Sequence, residues 1–302
     1  MMKFLYKQDG GTIVLVALLM TAFIGLLALV IDAGNLYLEK AKIQKVVDAA
    51  ALAAAQELPK DQLKATSIAN QTIKLNNEDP TNFSIIYSNN STIVEIKANK
   101  RVELFFARAL GLDNPILKAS ATVNLMPITS GVGAVPLGVE YTTPLSYGTE
   151  VKLKVGDSTY GNFGALALTG PGAKNYETDL EKGYGFEIKV NDVLNTETGV
   201  MAGKTVTAIN NRISYCPSQT YVNFTNDCKR LILVPVFKPL LIDQNKQVKQ
   251  VIVVGFATFF IERVTSTSTN AEVIGRFIQT TYPGDISPTQ ANYGVYSFKL
   301  TK

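Results

Sequence analysis

The sequence predicts an α+β protein: a long N-terminal transmembrane, pilin-like helix, a small antiparallel α+β unit, and a β-rich extracytoplasmic domain. Three observations carry this. Thr12 to Ile31 is a run of 20 residues without a charge. An Ala-rich stretch with helical periodicity follows it without a turn signal, up to Pro59. Beyond that, segments of alternating polar and apolar residues recur between Gly, Asn and Pro clusters.

At 1.5 Å per residue the apolar run is about 30 Å long, the thickness of a bilayer's hydrocarbon core. A signal-peptide core is shorter and ends at a small-x-small site. Here the run ends Leu29-Val30-Ile31-Asp32-Ala33-Gly34, a poor cleavage site, so the reading is a retained anchor, with a cleaved, unusually long signal peptide as the alternative. Lys3 and Lys7 precede the run, and the positive-inside rule places residues 1–11 in the cytoplasm, 12–31 in the membrane and the bulk of the chain outside. Val251 to Ile261 is too short to span as a helix and reads as a buried strand. Ala17, Thr21 and Gly25 fall every fourth residue, so the span carries a ridge that another helix could approach closely, although small residues are common in spans.

Between Asn35 and Leu58, residues Ile43, Val47, Ala50, Ala54 and Leu58 recur at helical spacing and make a narrow face of mostly small residues. The expectation is one helix from Thr12 to Leu58, on the order of 70 Å long and broken at most at Gly34. Its Ala50 and Ala54 stripe packs either on a partner helix or on the protein's own sheet.

The stretches Gly11–Leu19, Ile31–Leu38 and Ile43–Ala55 together resemble the N-terminal segment of the TadE/TadG-like proteins of Flp, or tight-adherence, pilus loci. The pattern comprises Gly11 before the span, Asp32 and Gly34 at its outer end, and Gln44, Asp48, Ala49, Ala50, Leu52 and Ala53 on the following helix, with Ala51 as an extra residue. The resemblance implies a single-pass protein involved in assembling a thin surface filament, with other pilus proteins as partners and no catalytic residue. More loosely, the segments 102–111, 135–140, 161–168 and 255–262 resemble extracytoplasmic parts of such proteins, the later ones those from Gram-positive bacteria. One departure stands out: cutting after Gly11 or Gly10 leaves Val16 or Leu15 where a prepilin has Glu, which disfavours a major pilin.

In the unit at 59–127, strands are expected at 83–87, 91–99 and 117–125, with a turn at Asn89-Asn90. A helix over Val102–Leu110, closed by Gly111, falls between the last two strands. The segment Met126–Pro136 reads as a linker. In the domain at 128–302, strands are expected at 149–155, 184–190, 230–237, 247–263, 272–280 and 293–300, with a helix at 204–213. Cys216 and Cys228 lie in one polar loop, and outside the membrane a disulfide between them is permitted.

Composition narrows the chemistry. The chain of 302 residues has no His, which removes Ser-His-Asp triads, Cys-His pairs and imidazole metal sites. Net charge is +4, spread thinly, and Trp is absent, so no nucleic-acid groove is indicated. The Gly161–Gly172 loop lacks the phosphate-binding spacing, and Asp157-Ser158-Thr159 misses a metal-dependent adhesion motif. No cofactor, metal or small-molecule substrate is expected. Asp32 is either paired with a partner's cation or solvated at the lipid edge. The functional expectation is a non-enzymatic protein of Flp pilus assembly, as assembly factor or minor subunit. The rivals are an anchored adhesin unrelated to pili and an anchored hydrolase using only carboxylates.

Overall fold

A computed structural model describes residues 11–89, 92–155, 164–197, 200–225, 227–244, 247–267 and 270–301. Lys3, Lys7, Gly10, Asn90, Asp157-Ser158-Thr159 and the start of the Gly161 loop lie outside these residues.

The first element, α1 (Gly11–Glu57), is a single helix of 47 residues. It passes through Gly34 unbroken, because that glycine sits in ordinary helical backbone with nothing within 4 Å of its α-carbon's open side. Pro59 follows in a tight corner, and α2 (Gln62–Leu75) turns back along α1. The sequence reading passed over α2. Its signals were present: Asp61 caps the amides of Leu63 and Lys64, and Ala65, Ala69 and Ile73 repeat every fourth residue on its buried side.

Strands β1 (Phe83–Ser88), β2 (Ile93–Arg101) and β3 (Ile116–Pro127) form the expected antiparallel meander. The expected helix at 102–110 shrinks to one 3-10 turn, Ala107–Leu110, closed by Gly111 at φ 79. The preceding amides do not enter a helical ladder because they bond elsewhere, as described below.

The expected linker is also built in. β3 runs through Pro127, and Ile128, Ser130, Ala134 and Val135 are buried on the way into the larger unit. There β4 (Ser130–Val132), β5 (Val139–Glu140), β6 (Glu150–Val155), β7 (Leu166–Ala167), β8 (Glu187–Lys189) and β9 (Val193–Thr196) are short. The long members are β10 (Leu231–Ile242), β11 (Val248–Ser266) and β12 (Ala271–Ile278). The main sheet runs β5-β10-β11-β12-β6, with β9 paired to β11 and β7 paired to β9, and β4 pairs with β8 apart from it. Helices α3 (Ala173–Lys182) and α4 (Ala202–Tyr215) cover one face through Tyr176, Leu180, Ala208 and Ile209. At the bulge where β11 meets β12, a β-carbon on Gly275 would sit 2.1 Å from the Phe260 carbonyl oxygen, so only glycine fits. Val251–Ile261 is a strand, buried at Val251, Val253 and Phe256–Ile261.

The chain then returns. β13 (Thr280–Thr281) and β14 (Val295–Thr301) leave the large unit and complete the first sheet, in the order β1-β2-β3-β14-β13. The expected C-terminal strand exists, but it pairs with β3 and not with the large sheet.

The two readings of the alanine stripe are now separable. Ile43, Val47, Ala50, Ala51, Ala54 and Ala55 are completely buried, between α2 and the face of β2 and β3 that carries Val94, Ile96, Ala121 and Val123. The protein's own sheet and second helix cover the stripe. Small side chains are what let the helix lie this close.

Packing this tight predicts an overpacking penalty. Ala50→Leu is expected to cost about 2 kcal/mol in thermal or denaturant unfolding of the detergent-solubilised chain. Gln56→Leu, on the exposed side of the same helix, should be close to neutral.

Candidate membrane-proximal interaction site

The apolar stretch of α1 before Asp32 stands bare. None of its apolar window is covered by the rest of the chain, and its mean hydropathy is 3.0. Every large apolar side chain from Ile13 to Ile31 is at least 48% exposed. It is the one helix among the described residues long and apolar enough to cross a membrane. Within it, the Thr21 hydroxyl donates to the Ala17 carbonyl at 2.8 Å, and Gly25 faces open space. The Ala17, Thr21, Gly25 ridge is therefore smooth, internally satisfied and uncovered.

Asp32 ends this stretch and is only 2% exposed. Its Oδ1 accepts the Phe105 amide at 2.7 Å, and its Oδ2 accepts those of Phe106 at 3.1 Å and Ala107 at 2.6 Å. Neither sequence-based reading, a partner's cation or a solvated edge, describes this. The carboxylate caps the first amides of the 3-10 turn in its own chain, where the negative charge also meets that turn's partly positive end. Asn114 holds the other side of the loop by accepting the Leu104 amide at 3.1 Å.

Farther along, Lys40 donates to the Lys118 carbonyl. Gln44 donates both to Asp48, at 2.9 Å, and to the Ser120 carbonyl, at 2.9 Å. Both carbonyls belong to β3, so the helix supplies hydrogen-bond donors to that strand. Ala49 is half-buried beside the alanine stripe. Three of the motif residues, Asp32, Gln44 and Asp48, thus lie on the side of α1 that grips the folded unit. Gly11 opens the helix.

A buried ion cluster strengthens the joint. Glu78, its side chain 2% exposed, receives Lys42 at 2.7 Å and Lys100 at 2.9 Å, and Lys100 also reaches Glu39 at 3.0 Å. Burial alone would raise the Glu78 pKa, but hydrogen bonds and charge from the two lysines outweigh it and hold the carboxyl below its ordinary range. Burial would lower Lys100, and its bonds to Glu78 and Glu39 raise it instead. No sequence signal marked Glu78, because its partners come from α1 and β2.

Cys216 and Cys228 form the expected disulfide. Arg230 threads its loop, donating to the carbonyls of Cys216, Pro217 and Gln219 while its guanidinium stacks 4.7 Å from the Phe260 ring. From the α1–α2 corner, Lys60 sits 4.2 Å over Phe224 of this loop. A cleft of about 380 Å³ separates the corner from the loop, lined by Glu57, Lys64, Tyr147, Tyr221 and Gln279 among others.

Residues 10–57 match the model of the putative Flp pilus-assembly TadE/G-like family. No curated protein and no solved structure matches the chain. The matched segment covers α1 alone, so the groups that Asp32 and Gln44 hold lie outside it.

Three outcomes are expected. Asp32→Ala should release the 105–107 loop, seen as faster hydrogen exchange of those three amides with the core of the folded unit unchanged. Glu78→Gln should lower unfolding stability by about 2 kcal/mol. The depressed Glu78 pKa contributes stability that is present above the unfolded carboxyl value and is lost as pH falls through the folded one. The raised Lys100 pKa contributes stability that is lost as pH rises through its folded value. The cluster is therefore at full strength between about pH 5 and pH 10, and the variant's acid limb should be shallower. Reducing the disulfide should cost about 3 kcal/mol, read from melts with and without reductant.

Proposed function

We propose that this chain is a single-pass membrane protein of Flp pilus assembly, working outside the membrane as an assembly factor or minor filament-associated subunit and not as an enzyme. The observation that carries the reading is the match of residues 10–57 to the pilus-assembly family on a helix with two opposite halves. One half is apolar and uncovered, and the other is the core of a folded unit.

The same geometry supports retention of the helix. A cleaved signal would take with it Asp32, which organises the 105–107 loop. The disulfide supports an extracytoplasmic place for the folded part, since such bonds persist in oxidising surroundings. In this reading residues 1–11 are cytoplasmic, 12–31 span, 12–58 form the family segment, and 59–127 and 128–302 lie outside. The uncovered Ala17, Thr21 and Gly25 ridge is the surface offered to other pilus proteins within the membrane, because small residues let helices approach closely there.

The test is gentle shearing of cells, followed by immunoblots of filament and membrane fractions and a pilus count in a deletion strain. Fewer pili with the chain confined to membranes marks an assembly factor, and recovery in sheared filaments marks a minor subunit. A normal pilus count with no chain in filaments refutes the proposal and leaves an anchored adhesin.

A further inference from the structure

Four exposed apolar side chains lie in and beside the loop that Asp32 holds. Phe105 is 67% exposed, Phe106 47%, Leu112 54% and Ile116 52%. In a soluble setting such a group would be a liability. Here its position along the span is fixed, because the amides of Phe105, Phe106 and Ala107 lie 2.6–3.1 Å from a carboxylate that follows the last residue of the apolar run. The backbone of both phenylalanines is therefore held within about one helical turn of the level where the span leaves the hydrocarbon.

We propose that Phe105, Phe106, Leu112 and Ile116 form a second membrane contact, a foot lying in the outer-leaflet interface beside α1. This rests on the reading of residues 12–31 as a span. Three features point to lipid rather than protein as the occupant. The level matches the headgroup–acyl boundary, where aromatic rings are favoured. The left-handed turn at Gly111 brings the backbone of Leu112 back to the loop, where its amide donates to the Ala107 carbonyl at 3.2 Å. The exposed charges along the same stretch, Arg101, Arg108 and Lys118 against Glu103 and Asp113, leave a small positive excess, which the phosphates of a headgroup layer can meet. A foot on one side of the span fixes which face of the ectodomain looks down and resists rotation about the helix axis.

The full chain, reconstituted in phosphatidylcholine vesicles, tests this. Phe105→Cys and Leu112→Cys are each labelled with an environment-sensitive fluorophore, the native cysteines being tied up in their disulfide. Leu112→Cys keeps both phenylalanines, so it decides if Phe105→Cys fails to fold. Phe23→Cys, near the middle of the run, and Val222→Cys, 75% exposed in the disulfide loop, are the references. The expected result is blue-shifted emission from both foot labels, quenched at least twofold by lipid spin-labelled high on the acyl chain and little by aqueous iodide. The Phe23 label should respond to deep spin labels and the Val222 label to iodide. Foot labels that follow Val222 while Phe23 stays in lipid overturn the foot and leave the span intact. Foot labels shielded from both quenchers mean that protein covers them, which also overturns it. A Phe23 label in water removes the span and the foot together.

Discussion

One continuous helix changes character at Asp32, from bare and apolar to packed, and the rest of the chain is arranged around that junction. A helix satisfies its own backbone and can therefore sit in lipid, but its side chains must suit whatever surrounds each turn. Before Asp32 every large apolar side chain is bare. After it, the helix becomes the inner layer of a folded unit, with the face from Ile43 through Val47, Ala50 and Ala54 to Leu58 buried against α2 and the first sheet. A carboxylate at such a boundary needs partners, and here they are three backbone amides of the same chain. The interaction is local in effect, ordering a loop of a few residues, yet it fixes where the folded part begins relative to the apolar run.

The larger unit is attached to this joint by strand topology more than by any linker. The chain leaves the first sheet through a buried strand end, builds the second sheet, and returns with β13 and β14 to pair beside β3. A second tie is the α1–α2 corner, where Lys60 meets Phe224 of the disulfide loop. Closing that loop with Cys216–Cys228 and threading it with Arg230 makes a firm surface for the corner to rest on. Both ties run back to the end of α1.

How much of this could be read from the sequence depended on whether the deciding contact was local. The helix was legible from Thr12 to Leu58 because length, charge and 3.6-residue spacing agree over its whole course. The strands at 83–88, 116–127 and 248–266 were legible from alternation or sustained β-branched and aromatic content. The helix expected at 102–110 was overdrawn, since the amides it needs are taken by Asp32, far away in sequence. Helix α2 was missed, although Asp61 and the Ala65, Ala69, Ile73 spacing were available. The sheet to which β14 belongs, the burial of Glu78 and the two-residue strands β5, β7 and β13 carry no local signature at all. In the candidate site, Asp32 and Gln44 stood out in the sequence as motif positions. Their partners, Phe105 to Ala107 and Ser120, were not identified.

Those partners give the motif residues a mechanical meaning. Asp32, Lys40, Gln44 and Asp48 fall on one i, i+4 row of α1, and the first three reach across to backbone groups of the folded unit. The row spans about 24 Å of helix beyond the apolar run. Over that length the helix cannot swing relative to the sheet without breaking hydrogen bonds, the Glu78 cluster and the alanine packing together. The folded unit and the apolar helix are therefore joined without a loose neck. A force applied to the sheets arrives at the Ala17, Thr21 and Gly25 ridge as tilt or rotation instead of being absorbed by a flexible neck. That stiffness follows from the packing of α1 against the sheet and α2.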